Sequence, residues 1–364
     1  MMRRIGIEGL AFDKVPSGVG KYFLNLVSAL VEAADSDTVF FVYSNKDVYL
    51  PQAIRDRVTI VQDQSSFSKL NRIVWLKLRA GSIIKKDKID YYLSALGFFP
   101  FLPAAVKKVG VVHDLNYRIV PHTMGKLHFL SHYFFLKRDV RKADFIVTNT
   151  AGTAAKIERY FNRKADTIIN PPVRPVFNKL PQAEVDKVLQ QYKIKDPYLL
   201  AVGTIEPRKN LLTTIRVFLN LLEQQQNDGH KLILVGSIGW NQHKEIMKLC
   251  TTHEKDIKIL GYVKEEDLPA LYNGATAFLF PSLYEGFGIP VREALQCATP
   301  VITSDTAELR ESGLNSAIYI NPADMKAYKQ AIRSILKQPY QVKDFSSESI
   351  KHNKMESFLH FFLK

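Results

Sequence analysis

Apolar and polar residues alternate in short blocks along the whole chain. Apolar runs with the length of buried strands occupy residues 3–8, 38–43, 58–61, 89–93, 109–113, 144–148, 167–170, 198–203, 231–236, 257–260, 277–280, 301–303 and 317–320. Segments with a helical spacing of apolar residues lie among them, from residue 21 onward, at 182–191, from 211 onward and at 323–336. This regular alternation predicts an α/β protein with parallel, doubly wound sheets.

The length of the chain and one break in its pattern predict two domains. A chain of 364 residues suits two domains of ordinary size. Pro171 and Pro172 interrupt the pattern, so we place the first domain at residues 1–171 and the second at 172–346. A final helix is predicted over residues 347–364, with Phe358, Phe361 and Phe362 along it.

Positive charge is concentrated in the first half of the chain. The net charge is +14; residues 1–170 contain 26 Lys and Arg against 15 Asp and Glu, and the remaining residues contain 24 against 21. A basic half of this kind indicates an anionic partner, which is a nucleic acid, a phosphorylated acceptor or an anionic membrane surface. Because the chain has no helix-turn-helix, zinc or aromatic RNA-binding signature, we expect no nucleic-acid partner.

Two basic and aromatic segments, residues 69–88 and 126–142, carry much of this charge. Each is either an ordinary surface helix whose apolar side enters the core or a helix that lies on a membrane surface. No apolar run has the length of a transmembrane helix, and Glu8 and Asp13 interrupt any signal-peptide core at the N-terminus. We therefore expect a cytoplasmic protein that attaches reversibly to the cytoplasmic face of an anionic membrane.

The sequence offers no metal centre and no disulfide framework. Its cysteines are Cys250 and Cys297, and they lack the spacing of metal ligands. No DxD-like metal motif stands out either. We expect a protein that works without a metal ion or a cofactor.

Residues 276–305, TAFLFPSLYEGFGIPVREALQCATPVITSD, have the strongest functional pattern. A strand at 277–280 leads into a turn with Gly286 and Gly288, and Pro290 suits the first turn of the helix that follows. The next strand completes a βαβ unit whose helix N-terminus points into the crevice at the strand ends. The two glycines allow backbone N–H groups to approach a ligand, which favours an anion such as a phosphate.

Two carboxylates, Glu285 and Glu293, belong to the same unit. Carboxylates repel phosphate, so they are better suited to accept hydrogen bonds from sugar hydroxyls. The alternative is that both side chains favour the helix N-terminus electrostatically and bind nothing.

The frame YEGFGIPVREALQCATPVI, in which seven residues separate Glu285 from Glu293, closely resembles the E-x7-E motif of family 4 glycosyltransferases. The resemblance implies a GT-B architecture: two Rossmann-like doubly wound domains facing across a cleft, the second of which binds a nucleotide-sugar donor. It implies a retaining, metal-independent transfer in which Glu285 binds the transferred sugar and Glu293 the ribose. Phe287, Gly288 and Ile289 complete the donor-binding loop.

Other positions carry the same resemblance. Arg208 and Lys209 follow the strand LLAVG and are similar to the family's diphosphate-binding pair, which suits fixed cations. The remaining positions are Gly18 and Gly20 in the first glycine loop, His113 near the donor sugar, and Tyr262 and Val263 near the base.

The chain departs from the family pattern at three positions: Asn210 and Ala298 stand where glycine is frequent, and Arg310 stands where proline is usual. These changes leave both glutamates and the cation pair intact. In similar proteins the C-terminal helix packs back onto the first domain, so we expect residues 347–364 to join it.

We therefore predict a retaining glycosyltransferase that moves a hexose to a carbohydrate or lipid-linked acceptor hydroxyl in surface polysaccharide or glycolipid assembly. Its likeness to bacterial mannosyltransferases makes mannose the predicted sugar. The alternatives are a nucleotide-sugar epimerase of the same fold and a non-catalytic protein that binds sugar nucleotides.

Overall fold

The computed structural model describes residues 2–14, 17–239, 243–338, 340, 342, 345 and 353–364. The chain forms two compact units. Unit 1 comprises Met1–Tyr117, Met124–Pro172 and Lys351–Lys364, and unit 2 comprises Arg118–Thr123 and Val173–Ile350.

Unit 1 is built on a parallel sheet. Within the described residues its strand order is β3-β2-β1-β4-β5-β6-β7. The strands are β1 Arg3–Glu8, β2 Thr38–Ser44, β3 Val58–Gln62, β4 Tyr91–Ser94, β5 Lys107–Val112, β6 Phe145–Thr148 and β7 Thr167–Ile168. In register, Ile5 of β1 pairs with Phe40 of β2 and Tyr91 of β4.

Helices surround this sheet. They are α1 Gly18–Ala33, α2 Gln52–Arg55, α3 Arg72–Trp75, α4 Gly81–Ile84, α5 Asn116–Ile119, α6 Lys126–Ser131, α7 Lys137–Arg141, α8 Ala151–Phe161 and, from the end of the chain, the helix Met355–Leu363. Two π-helical turns, Leu76–Ala80 and His132–Leu136, join α3 to α4 and α6 to α7. Short 3-10 turns are Gly9–Ala11, Ser66–Lys69 and Lys85–Asp87, whereas the 3-10 turn Pro121–Thr123, which follows α5, belongs to unit 2.

Unit 2 contains a second parallel sheet, with the order β10-β9-β8-β11-β12-β13 in the part of the chain that the structure describes. The strands are β8 Tyr198–Val202, β9 Lys231–Val235, β10 Ile257–Gly261, β11 Ala277–Phe280, β12 Val301–Ser304 and β13 Ala317–Ile320. The helices are α9 Gln182–Gln191, α10 Leu211–Glu223, α11 His243–Thr252, α12 Leu268–Asn273, α13 Ile289–Gln296, α14 Ala307–Gly313 and α15 Met325–Lys337, and Pro207–Lys209 is a 3-10 turn. The helix Met355–Leu363 of unit 1 is then α16.

Each sheet is buried on both faces, which is why its strands read as continuous apolar runs rather than as alternating ones. In unit 1 one core includes Ile5, Phe23 and Val109, and the opposite core includes Trp75, Tyr92 and Ile146. In unit 2 the two cores are centred on Leu199 with Phe218, and on Phe278 with Leu295.

The α/β class and the parallel sheets are as predicted, while some bounds differ. The basic segments 69–88 and 126–142 are helical over residues 72–87 and 126–141, and each helix contains a π-helical stretch, Leu76–Ala80 or His132–Leu136. At the end of the chain α16 covers Met355–Leu363, and Phe358 and Phe362 are completely buried in unit 1. Residues 347–352 of the predicted helix lie outside the described residues.

Candidate active site

The main candidate residues of unit 2 follow two neighbouring strands. Strand β8 pairs with β11 in parallel, so the loops after both strands leave the same edge of the sheet. The loop after β8 carries Arg208 and Lys209, and the loop after β11 carries Glu285. The backbone N–H of Leu283 donates to the carbonyl of Arg208 at 2.8 Å, which fixes one loop against the other.

Glu285 binds both cations. Its Oε2 accepts from Arg208 Nη1 at 2.6 Å, and its Oε1 accepts from Lys209 Nζ at 2.7 Å. Arg208 also donates through Nη2 to Glu206 Oε1 at 2.7 Å and through Nη1 to the carbonyl of Tyr284 at 3.1 Å. We call Glu206, Arg208, Lys209 and Glu285 the ion cluster.

Burial of the ion cluster affects its pKa values in opposite directions. Burial alone would raise the pKa of Glu285, but Arg208 and Lys209 overcome it and lower that pKa to about 2. Burial lowers the pKa of Lys209, while Glu285 acts to raise it. The ammonium also lies 4.7 Å from the ring centroid of Phe280. Glu285 is therefore a carboxylate at neutral pH and can only accept hydrogen bonds.

The ion cluster has two consequences for the predicted roles. The resemblance implied separate roles, a diphosphate for Arg208 and Lys209 and a sugar for Glu285, yet the Glu285 carboxylate accepts hydrogen bonds from both cations. Glu206 was not named as a site residue in the sequence analysis, although it stands two residues before Arg208. The structure shows that Glu206 is buried. Arg208 and Lys209 are therefore already paired with carboxylates of the ion cluster.

The loop before α13 requires glycine at one position. Gly288 has φ +92°, and a Cβ there would lie 2.5 Å from Leu309 Cδ2. Its carbonyl accepts from Ser312 Oγ at 2.9 Å. Phe287 is buried and Ile289 half-buried, so this part of the predicted donor loop is packed into unit 2.

A buried arginine that the sequence analysis missed supports the same loop. Arg292 on α13 is 1% exposed and donates to the carbonyls of Glu311 and Ser312, each at 3.2 Å. Its guanidinium lies 5.2 Å from the ring centroid of Phe287. Burial lowers the pKa of Arg292 to about 10, so the group stays charged and holds the loop. The sequence did contain a signal for this residue, because Arg292 occupies a position of the predicted helix that should face the core.

Glu293 is half-buried on α13, and its Oε2 accepts from the Tyr272 hydroxyl at 3.3 Å. Burial raises the pKa of Tyr272 well above its ordinary value, and Glu293 adds to this shift. Tyr272 is thus a partner of the second glutamate that sequence reasoning did not find. Of the residues predicted near the base, Tyr262 is 69% exposed and Val263 is buried.

The departures from the family pattern have visible structural settings. Asn210 has φ +56°, a left-handed conformation that asparagine tolerates, and its side chain donates to the carbonyls of Pro281 and Pro322. Ala298 also has a positive φ, +58°, without a comparable compensation. Arg310 donates to Asp305 and lies 4.6 Å from the ring centroid of Tyr319.

Unit 1 carries the remaining candidates. Gly18 and Gly20 form the first turn of α1 rather than a loop before it, because Ser17 Oγ caps the helix by accepting from Gly20 N at 3.2 Å. A Cβ on Gly18 would meet nothing within 4 Å, so its surroundings are open. His113 directly follows β5, and its Nε2 is 2.7 Å from the carbonyl oxygen of Ala95.

Among the residues that the structure describes, no group of three or more His, Cys, Asp or Glu side chains is placed to hold a metal ion. Among the same residues, no helix is both long and apolar enough to span a bilayer.

Comparisons with known proteins agree with one another. Residues 184–352 match the family model described as glycosyl transferases group 1. The chain is 29% identical over 335 residues to the O-antigen chain mannosyltransferase B of Escherichia coli, covering 85% of this chain and 84% of that protein. It is 28% identical over 344 residues to the O-antigen chain mannosyltransferase RfbU of Salmonella typhimurium, covering 92% and 91%.

Solved structures share the fold. WaaG, a glycosyltransferase involved in lipopolysaccharide biosynthesis, has a TM-score of 0.72 at 17% identity, covering 98% of this chain and 94% of that one. Anabaena HepE in complex with UDP has a TM-score of 0.64 at 14% identity, covering 100% and 96%. At these identities the likeness shows the fold alone, and it confirms the predicted GT-B architecture.

Proposed function

We propose that the chain is a group 1 glycosyltransferase with a GT-B fold, and that it transfers mannose from a nucleotide-diphosphate sugar to an acceptor hydroxyl in surface polysaccharide assembly. Two relatives that align over 85% and 92% of the chain are named O-antigen mannosyltransferases, which supports both the sugar and the pathway. The ion cluster is the observation that carries the reaction.

The charges of the ion cluster suit a reaction in which fixed cations stabilise the diphosphate leaving group. As the bond between the anomeric carbon and the diphosphate oxygen breaks, negative charge grows on the diphosphate, and Arg208 with Lys209 stabilise it. Glu285, ionised at neutral pH, holds both cations in place and accepts hydrogen bonds from sugar hydroxyls. The acceptor oxygen attacks from the face that the diphosphate leaves, and its proton passes to the departing diphosphate, so the configuration is retained.

The other predicted site residues are assigned to binding. We assign Glu293 to the ribose, Tyr262 and Val263 to the base, and Phe287 with Ile289 to the donor loop. Within unit 1 we assign Gly18, Gly20 and His113 to substrate binding. The cation pair does the work that a divalent metal would otherwise do, so we propose a metal-independent enzyme.

The test is a panel of nucleotide sugars with a lipid-linked or oligosaccharide acceptor. We expect GDP-mannose to bind and to release GDP only when acceptor is present, with and without a chelator. An epimer formed from the donor alone would support the epimerase alternative. Donor binding with no turnover on any acceptor would support the non-catalytic alternative.

We propose further that the enzyme acts on the cytoplasmic face of an anionic membrane, held there by one surface of unit 1. That surface, the basic–apolar face, consists of the exposed side chains of residues 69–88 and 126–142. Its most exposed apolar side chains are Leu127 at 75%, Leu78 at 72% and Phe134 at 63%. Lysines and arginines accompany them, for example Lys126 and Lys137. Charge and apolar area together fit an anionic lipid surface.

The ordinary-helix interpretation describes the buried part of these segments, and we propose the membrane-surface interpretation for the exposed part. Trp75 and Leu76 are buried in the core of unit 1, as an ordinary surface helix requires. Leu78, Leu127 and Phe134 instead line an open groove of about 460 Å³ between α3 and the α6 segment. A groove of this kind fits the hydrocarbon part of a lipid.

Vesicle sedimentation tests the membrane proposal. The parent should bind vesicles of phosphatidylglycerol more strongly than those of phosphatidylcholine, and added salt should weaken the binding. The double variant Leu127→Ser with Phe134→Ser should bind less. Met325→Ser, which alters an exposed apolar residue of unit 2, is the matched control and should bind like the parent. Equal binding to both lipids would contradict the proposal.

A further inference from the structure

Unit 1 contains a completely buried carboxyl group that the proposed reaction does not use. Glu8 is the last residue of β1 and is 0% exposed. Its Oε2 accepts from Ser94 Oγ at 2.7 Å and from the backbone N–H of Ala95 at 3.1 Å. Among the residues that the structure describes, its Oε1 has no hydrogen-bond partner. Glu8 therefore anchors the turn after β4, residues 94–96, through one oxygen.

The same turn holds His113. The carbonyl oxygen of Ala95 is 2.7 Å from His113 Nε2, and a carbonyl can only accept, so we assign the proton to Nε2. The ring of Tyr22 meets the imidazole edge-on with a centroid distance of 5.4 Å. Burial lowers the pKa of His113, so the ring is neutral at neutral pH and Nδ1 carries a lone pair.

One peptide group connects the two side chains. The N–H of Leu96 and the carbonyl of Ala95 belong to the same peptide. The Leu96 N–H donates to Ser94 Oγ at 3.3 Å, and the Ser94 hydroxyl in turn donates to Glu8 Oε2 at 2.7 Å. Hydrogen bonds in a chain polarise one another. A negative charge on Glu8 therefore makes the Ala95 carbonyl a stronger acceptor and increases the electron density on the imidazole.

We propose that Glu8 is a positioning residue for His113, which fixes the tautomer of its ring through residues 94–96 and strengthens its Nδ1 as an acceptor when Glu8 is ionised. The proposal rests on the assignment of His113 to substrate binding. Glu8 does not touch the substrate.

Burial and the groups around Glu8 place its ionisation near neutral pH. Burial raises the pKa of Glu8 to about 7, although Ser94, Ala95 and Lys77 act to lower it. Lys77 faces it from the π-helical turn but is itself bound to Asp139. Tyr92 faces it from β4, and burial keeps the pKa of that hydroxyl far above the ordinary value, so it stays neutral. As the pH rises through about 7, Glu8 ionises while His113 remains neutral.

Nitrogen NMR of the histidine rings in the parent protein tests this without substrate. We expect His113 to be protonated at Nε2 throughout, and its Nδ1 signal to move with a midpoint near pH 7. The signal should be stationary in Glu8→Gln, which keeps the shape but cannot ionise. Glu32→Gln, an exposed glutamate of α1, is the matched control and should keep the midpoint. A stationary Nδ1 signal in the parent, or an Nδ1-protonated ring, would overturn the proposal.

Turnover provides the second readout. The rate of the parent should rise through about pH 7, and Glu8→Gln should be slower than the parent at about pH 8 by about fivefold, the size of one hydrogen bond. Because the NMR measurement uses parent protein, it stands even where the variant fails to fold. An NMR midpoint near 7 without a matching step in turnover supports the Glu8–His113 connection and instead removes His113 from the reaction.

Discussion

Two buried glutamates, one in each unit, have opposite acid–base behaviour. Glu285 in unit 2 is bonded to Arg208 and Lys209, which lower its pKa to about 2. Glu8 in unit 1 accepts from Ser94 and Ala95, and burial raises its pKa to about 7. Glu8 is the last residue of β1, Glu285 lies in the loop after β11, and both side chains are nearly inaccessible to solvent. The two pKa values differ because Glu285 has cationic partners and Glu8 has neutral ones, not because the two groups differ in burial.

This difference teaches what each carboxyl group can do. Glu285 keeps its charge across the physiological range and can hold two cations beside a diphosphate. Glu8 changes charge near neutrality and can make the unit that contains it sensitive to pH.

Lys209→Ala has the largest expected effect. It removes one cation from Glu285 and one donor from the proposed diphosphate site, so turnover should fall about 100- to 1,000-fold. Calorimetry should show weaker binding of the nucleoside diphosphate and a smaller loss for the free nucleoside. Lys231→Ala, which breaks the Lys231–Asp256 ion pair in the same unit, is the control and should leave both affinities alone. Unchanged affinity for the diphosphate would show that the pair does not bind it.

Glu8→Gln should change how stability depends on pH. The folded protein holds the Glu8 proton more tightly than the unfolded chain, so the parent loses stability as the pH rises from about 4.5 through about 7. The upper limit of that loss is about 3 kcal/mol. Glu285 has the opposite sign, since its contribution is lost as the pH falls from about 4.5 towards 2.

Urea unfolding at about pH 5 and about pH 8 checks this, with Trp75 as the probe of unit 1 in a Trp240→Phe background. The Glu8→Gln variant should gain stability relative to the parent at the higher pH. If the difference between variant and parent is the same at both pH values, Glu8 does not titrate between them.

Glu285→Gln should reduce turnover about 10- to 150-fold, the range for a lost charge-assisted hydrogen bond. Affinity for the bare nucleoside diphosphate should stay the same or rise, because Arg208 and Lys209 lose a competing carboxylate. Glu293→Gln is the matched comparison and should weaken binding of the nucleotide and the sugar nucleotide alike. Calorimetry with both ligands decides, and an equal weakening of both by Glu285→Gln would remove that residue from the sugar.

Ser94→Ala has the smallest expected effect. It takes one donor from Glu8, so the pKa of Glu8 should rise further, and the midpoint of the His113 signal should move up by about one pH unit. The NMR titration measures it. A midpoint that stays in place or moves down would mean that Ser94 does not stabilise the ionised form.

The pattern of apolar residues was enough to predict the α/β class and the order of strands and helices along the chain. Apolar runs of strand length have to be buried on both faces, so their alternation with helices leaves few architectures. The residues around Glu285 and Glu293 were also informative about local structure. Gly288 has a positive φ, a conformation that favours glycine, so the turn before α13 is encoded by the residues at that point of the chain.

Which distant side chains meet became clear from the fold. Arg208 and Glu285 form an ion pair because β8 and β11 are neighbours in the sheet, although 77 positions separate the two residues along the chain. In the sequence Glu8 was merely a charge that interrupts an apolar stretch, and its pKa depends on burial and on residues 94–96. Hydrogen bonds and desolvation act over a few ångströms in space, so pairings between residues distant in sequence emerge only when the sheet is assembled.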